Sequence, residues 1–367
     1  MFSLRQWVCT ALVFSSLCTA SQAYDMGGHH YTLNAIFSSG NPPPVTHAAA
    51  EQLIQAFCAE LPDLSLELDA ITQRNHVLFD PKELLWGARG RCNTAGCAHM
   101  VASQFYLHAL TGADTAPVRS AAENIVRAID AELAAARAAH PADMSQQLVN
   151  LWCERGFAAH LLADTFAHSV LANPQKLYPT GLGHTRDMHE PDFMLARDDL
   201  AMSPTTRWSA WVQSAAANLS DAQFAAPVIK LAEAVASKDS DDHGEKILQS
   251  KLLSYTAAEW NAYTPALPDW NKPSTPSTKW WIFGRMEDAY TQVILQNSCQ
   301  SQLARFASQV NLSSLGNKVP QCDAVWAGYR DRAMEQFSKQ AIQPDCCDAD
   351  VLRRDKLEYG CHRGQCN

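Results

Sequence analysis

Beyond its first two dozen residues the chain has no apolar run approaching the roughly 20 residues that a helix needs to cross a bilayer, which sets aside a helical membrane-spanning architecture. Strand-like alternation is scarce, which argues against a sheet-based fold. Positive charge is also in short supply. With 29 Lys and Arg against 38 Asp and Glu, the formal net charge is -9. No basic patch of the kind nucleic-acid binders use can be picked out, which weighs against such a binder without excluding it. No internal repeat is present.

The segment that is apolar, from Trp7 to Leu17, follows Arg5 and precedes small residues ending in Ser21-Gln22-Ala23. It is too short to span a membrane and has the layout of a signal peptide, residues 1–23, with cleavage expected after Ala23 and a mature chain beginning at Tyr24. Neither Cys9 nor Cys18 is preceded by the small residue that a lipid-modified cysteine would need. The expectation is a soluble protein that is secreted or periplasmic. Of the 12 cysteines, those after the leader are Cys58, Cys92, Cys97, Cys153, Cys299, Cys322, Cys346, Cys347, Cys361 and Cys366. Their even number in an oxidising compartment points to disulfides, which is favoured over zinc ligation by the tail cluster.

Helical periodicity recurs over Thr46 to Ala59, Pro117 to Ala139, Ser145 to Leu171, Trp208 to Ala217, Asp221 to Ala236, Lys246 to Tyr263, Arg285 to Val310 and Asp323 to Ala341. Ala-rich stretches such as AAENIVRAIDAELAAARAA strengthen it. Asn41-Pro42-Pro43-Pro44 and the Pro/Ser/Thr stretch from Pro265 to Ser277 read as loops. The fold class expected is all-α, a multi-helix bundle over residues 24–342. A disulfide-stapled tail occupies 343–367, where apolar residues thin out.

The segment GFAAHLLADTFAHS places His160, Asp164 and His168 at i, i+4 and i+8 of a predicted helix. Each four-residue step rotates by only about 40°, so the three side chains share a face. His160 and His168 are separated by about 12 Å along the axis, whereas zinc sits roughly 2 Å from each ligand. One ion therefore cannot easily take both histidines. His160 and Asp164 can share an ion, with His168 reaching toward a second. Alone, one such histidine is more often a hydrogen-bonded core residue. Three titratable groups beside Phe157, Leu161, Leu162 and Phe166 are costly unless paired or metallated, which favours the metal.

Downstream, GLGHTRDMHEPD supplies His184, Asp187, His189, Glu190 and Asp192, of which His184, His189 and Asp192 are the favoured ligands. Upstream stand Asp63 in AELPDLSLELDA and His76 in RNHVLFDP. Near the expected mature terminus, YDMGGHHYT offers His29 and His30 together with the α-amino group of Tyr24.

In chain order from Tyr24 to Asp192 these residues resemble the zinc-dependent phospholipases C and their relatives, the single-strand-specific zinc nucleases. The resemblance implies a trinuclear zinc site. Asp63, His76, His160 and Asp164 would hold one ion. Asp164 would bridge to a second, held by His29 and the amine and carbonyl of Tyr24. His168 and the segment His184 to Asp192 would hold the third. Asp63 is also the candidate catalytic residue, orienting the attacking water. The long gap between His76 and His160 is expected to hold an inserted helix pair, with His99 and His108 in structural roles.

The activity implied is hydrolysis of a phospholipid such as phosphatidylcholine, with transient contact with a membrane surface and no nucleic-acid partner. Tryptophans including Trp86, Trp152, Trp208, Trp211 and Trp260 are expected mostly in the core, and Trp280-Trp281-Ile282-Phe283 is the candidate exposed patch. Two other readings stand beside this one. The first is a single-strand-specific nuclease that stacks bases on aromatics. The second is a secreted zinc-binding protein without turnover.

Overall fold

The computed structural model describes residues 47–65, 68, 102–139, 145–180, 210, 214, 298–309, 312 and 315–344. They are mostly helical, as the periodicity predicts. The elements are α1 (His47–Leu64), α2 (Thr115–Ala139), α3 (Gln146–Ala167), a small antiparallel ribbon of β1 (Ser169–Val170) and β2 (Asn173–Leu177), α4 (Cys299–Gln309) and α5 (Cys322–Lys339). No helix among the described residues is long and apolar enough to cross a membrane.

The centre of the assembly is α3. Its start is set by Ser145, whose Oγ accepts from the backbone N–H of Leu148 at 3.1 Å, the usual way of satisfying an orphan donor in the first turn. Every residue from Leu151 to Ala167 is buried, which marks a helix surrounded on all sides rather than an amphipathic surface helix. Trp152 lies in this core, as expected of the tryptophans.

α1 and α2 pack against α3, and α5 packs against both α2 and α3. α1 approaches α3 at Gly156, where a Cβ would stand only 2.6 Å from the carbonyl oxygen of Gln55. The same crossing is bridged by the disulfide Cys58–Cys153. α4 joins through Phe306, stacked on Phe57 with ring centroids 4.5 Å apart, and a second disulfide, Cys299–Cys322, ties α4 to α5. Both bridges fit an oxidising environment.

Several boundaries differ from the sequence reading; α2, for one, starts at Thr115 rather than Pro117. α1 runs on past Ala59 and through Pro62 to Leu64. A proline this close to the end removes only one hydrogen bond, and Ser65 N–H still donates to the Leu61 carbonyl at 2.9 Å. α3 stops at Ala167 instead of Leu171, because Ser169 and Val170 leave the helical path to pair with Leu177 and Asn173. α5 ends at Lys339, two residues early, where Ala341 takes a positive φ of 54°. The predicted leader, the helices Asp221 to Ala236 and Lys246 to Tyr263, both proline-rich loops and the tail from 345 onward lie outside the described residues.

Candidate metal centre

Three separate pieces of chain build the site. The last turn of α1 carries Asp63, one turn beyond Ala59. α3 presents His160 and Asp164 one turn apart, and its C-cap residue is His168. The third piece includes the helical residues 102–106, after which the chain unwinds through Leu107 to His108 and turns sharply at Ala109, whose φ is 52°. All five side chains are buried, with none more than 6% exposed.

Asp63, His108 and His160 each direct a donor atom to a common point, those atoms lying within 4.8 Å of one another. His160 Nε2 is 3.3 Å from His108 Nδ1, and Asp63 Oδ1 is 3.8 Å from His108 Nδ1 and 3.9 Å from His160 Nε2. Asp164 closes one side. Its Oδ2 is 3.2 Å from His160 Nε2, 3.3 Å from His108 Nδ1 and 3.7 Å from His168 Nδ1. Zinc–ligand bonds of about 2.0–2.1 Å at tetrahedral angles separate neighbouring donors by roughly 3.4 Å. The spacings here bracket that value.

The backbone orients two of the imidazoles. His160 Nδ1 lies 2.8 Å from the Ala59 carbonyl. A carbonyl only accepts, so Nδ1 carries the proton, and in the neutral ring Nε2 turns its lone pair into the cluster. The carbonyl of His108 receives His168 Nδ1 in the same way. Histidines that ligate metals are held by such outer hydrogen bonds. The lone pair of His160 then faces the carboxylate of Asp164, and two acceptors this close require a shared cation, either a proton or a metal ion.

Burial by itself would raise the carboxyl of Asp164. When the shared cation is a proton, the charges of His160 and His168 and the hydrogen bonds from His108 and His160 outweigh it and hold Asp164 well below the ordinary carboxylate range. Tyr329 is moved the other way. Burial, reinforced by the Asp164 charge, lifts its phenol well above its usual value, so it stays a donor. Two buried carboxylates among three imidazoles match the charge of a divalent ion, and oxygen and nitrogen donors suit zinc. The residues therefore fit a metal ion.

Of the ligands expected from the sequence, the structure gathers Asp63, His160, Asp164 and His168. Tyr24, His29, His76, His184, His189 and Asp192 lie outside the described residues. His108, given a structural role in the sequence reading, shares a buried donor cluster with Asp63 and His160 that could hold a metal ion. Its only signal in the sequence is an imidazole set within the otherwise apolar run Phe105 to Leu110. No protein-family model matches the chain, and no curated protein or solved structure matches it either.

Proposed function

We propose that this chain is an exported zinc-dependent hydrolase of phosphoric esters, of phospholipase C type, that cleaves a glycerophospholipid such as phosphatidylcholine to diacylglycerol and a phosphorylated headgroup. The observation that carries the reading is the buried convergence of Asp63, His108 and His160 with Asp164 against both imidazoles. Asp63, His108 and His160 would hold the ion, and Asp164 would complete its shell or bridge to a neighbour on the His168 side. When bound, zinc supplies a Lewis acid for phosphoryl oxygens and acidifies water near neutral pH.

The chain's own groups do the rest. Ala59 and His108 fix two rings through their carbonyls. The surrounding apolar helices exclude bulk water, which strengthens every charge interaction in the site. Asp63 orients the attacking water. An acidic chain favours lipid over nucleic acid, whose phosphates bind basic surfaces.

Zinc analysis of the purified protein, followed by parallel assays on phosphatidylcholine and single-stranded DNA, tests this. Lipid cleavage that is lost on chelation and restored by zinc is the expected result. Cleavage of DNA alone moves the chain to the nuclease reading. One observation favours a third outcome. Structural zinc sites are closed whereas catalytic ones keep an open position, and the donors here are at most 6% exposed. Bound zinc with no turnover of either substrate would establish that non-catalytic role.

A further inference from the structure

The helical residues 102–106 end at Tyr106, two residues before His108. A helix end leaves carbonyls without partners inside the helix. Some of these are met locally: the Ser103 carbonyl accepts from Leu107 N–H at 2.8 Å, and that of Gln104 from Leu110 N–H at 2.9 Å. The Tyr106 carbonyl is met from a distant part of the chain. Tyr329 of α5, 223 residues away in sequence, donates its hydroxyl to that carbonyl at 2.5 Å.

Tyr329 is completely buried. Its ring meets Phe157 edge-on at 5.6 Å, and Phe157 sits one turn before His160 on α3. Tyr329 thus stands between the turn that presents His108 and the helix that presents His160 and Asp164.

Other bonds hold the same turn, but they differ in kind. His168 Nδ1 donates to the His108 carbonyl, yet His168 is itself a candidate ligand. Thr180 donates to Leu110 at 2.5 Å, beyond the sharp bend at Ala109. Phe337 grips Phe105 and Tyr106 by ring packing at 5.6 and 5.3 Å, which sets distance but little direction. Within the turn itself the His108 N–H donates to the Ser103 carbonyl at 3.3 Å; among the described residues, the Tyr329 hydroxyl is the directional contact nearest to His108 that comes from another element and from a residue outside the donor cluster.

The geometry points to Tyr329 as a positioning residue of the metal centre: by capping the Tyr106 carbonyl it holds His108 Nδ1 in register with His160 Nε2 and Asp63. This role rests on the metal reading of the site and is independent of the substrate. Tyr329→Phe keeps the ring and its packing while removing only the hydroxyl. Loss of an outer-shell contact lowers metal affinity by about 10- to 100-fold, and the lower end is expected here because the ring still fills its place.

The experiment loads the full-length wild-type and Tyr329→Phe proteins with Co2+ and with Zn2+, reading affinity by competition and ligand geometry from the visible cobalt bands. Glu132→Gln, which loosens an ion pair with Arg332 one turn further along α5, serves as the control for a purely structural loss. The expected result is a roughly tenfold weaker affinity and shifted cobalt bands for Tyr329→Phe, with the control unchanged in both. If that variant fails to fold, 3-fluorotyrosine at position 329, which keeps the hydroxyl and makes it a stronger donor, must still shift the bands. A folded Tyr329→Phe protein with wild-type affinity and bands overturns the positioning role alone. Failure of the wild-type protein to take up either metal overturns the metal centre and this role with it.

Discussion

Replacing Gly156 by alanine should reverse the usual effect of such a change. In the interior of a helix, alanine is preferred to glycine by about 1 kcal/mol, so propensity alone predicts a more stable protein. The Cβ added at Gly156 would lie 2.6 Å from Gln55 O, 2.7 Å from Ala59 N and 2.8 Å from Cys58 Cβ. Carbon contacts are comfortable only from about 3.5 Å, so α1 and α3 would have to separate by roughly 0.8 Å. Two of the three atoms are backbone, and the third belongs to a cysteine bridged to α3, so no flexible side chain can yield. Overpacking of this kind costs about 1–3 kcal/mol. Taking the upper end, the net loss is about 2 kcal/mol after the propensity gain. In the expected domain of about 320 residues that lowers Tm by about 3 °C.

The damage should also reach the site. The Ala59 carbonyl that orients His160 lies in the displaced turn, and Asp63 follows one turn later. Zinc affinity should therefore fall together with stability. Thermal unfolding of the apo protein and zinc competition measured on both proteins provide the test. A Gly156→Ala protein with unchanged or higher Tm and wild-type affinity would refute the close crossing of α1 and α3 from which the argument starts.

Asp164→Ala and His108→Ala should each deplete zinc and abolish activity, and metal analysis showing full occupancy in either would contradict the donor cluster. Zinc at 100 times its Kd should stabilise the wild-type chain by about 2.7 kcal/mol, so chelation should lower Tm measurably. Breaking Cys58–Cys153 with paired serines opens a loop of 95 residues and should cost about 4–5 kcal/mol; a urea-unfolding loss under about 1 kcal/mol would oppose the predicted entropic role. Burial pushes the Glu154 carboxyl up from 4.5 to about 7 despite the charge and hydrogen bond of Arg332. Between those values the folded chain keeps a proton that the unfolded chain has released. Stability should therefore fall as pH rises from 4.5 to 7, by roughly 3 kcal/mol at most. Glu154→Gln should flatten that slope in urea titrations, leaving a remnant from Glu51, whose carboxyl burial raises against the pull of Arg137.

Part of this molecule is written in local pattern. Periodicity places α1, α2, α3 and α5, because a helix needs only a repeating apolar stripe and few breakers. The i, i+4 spacing puts His160 and Asp164 on one face, since helix geometry relates them whatever surrounds them. An even cysteine count points to bridges without indicating that Cys58 joins Cys153. The ends of elements are less legible. α1 continues through Pro62 because its last turn can spare a hydrogen bond, and α3 stops at Ala167 because β1 finds a partner in β2.

What the amino-acid order determined by itself was therefore a helical chain carrying an imidazole–carboxylate pair suited to a metal. Only the tertiary structure decided which other groups join that pair. His108 stands 52 residues from His160 with no motif to announce it, and its place depends on a helix end capped from α5 and a bend at Ala109. Asp63 reaches the cluster because Gly156 lets α1 lie against α3. Short-range geometry is encoded in neighbouring residues, whereas convergence of distant donors is a property of packing, and no local pattern contains it.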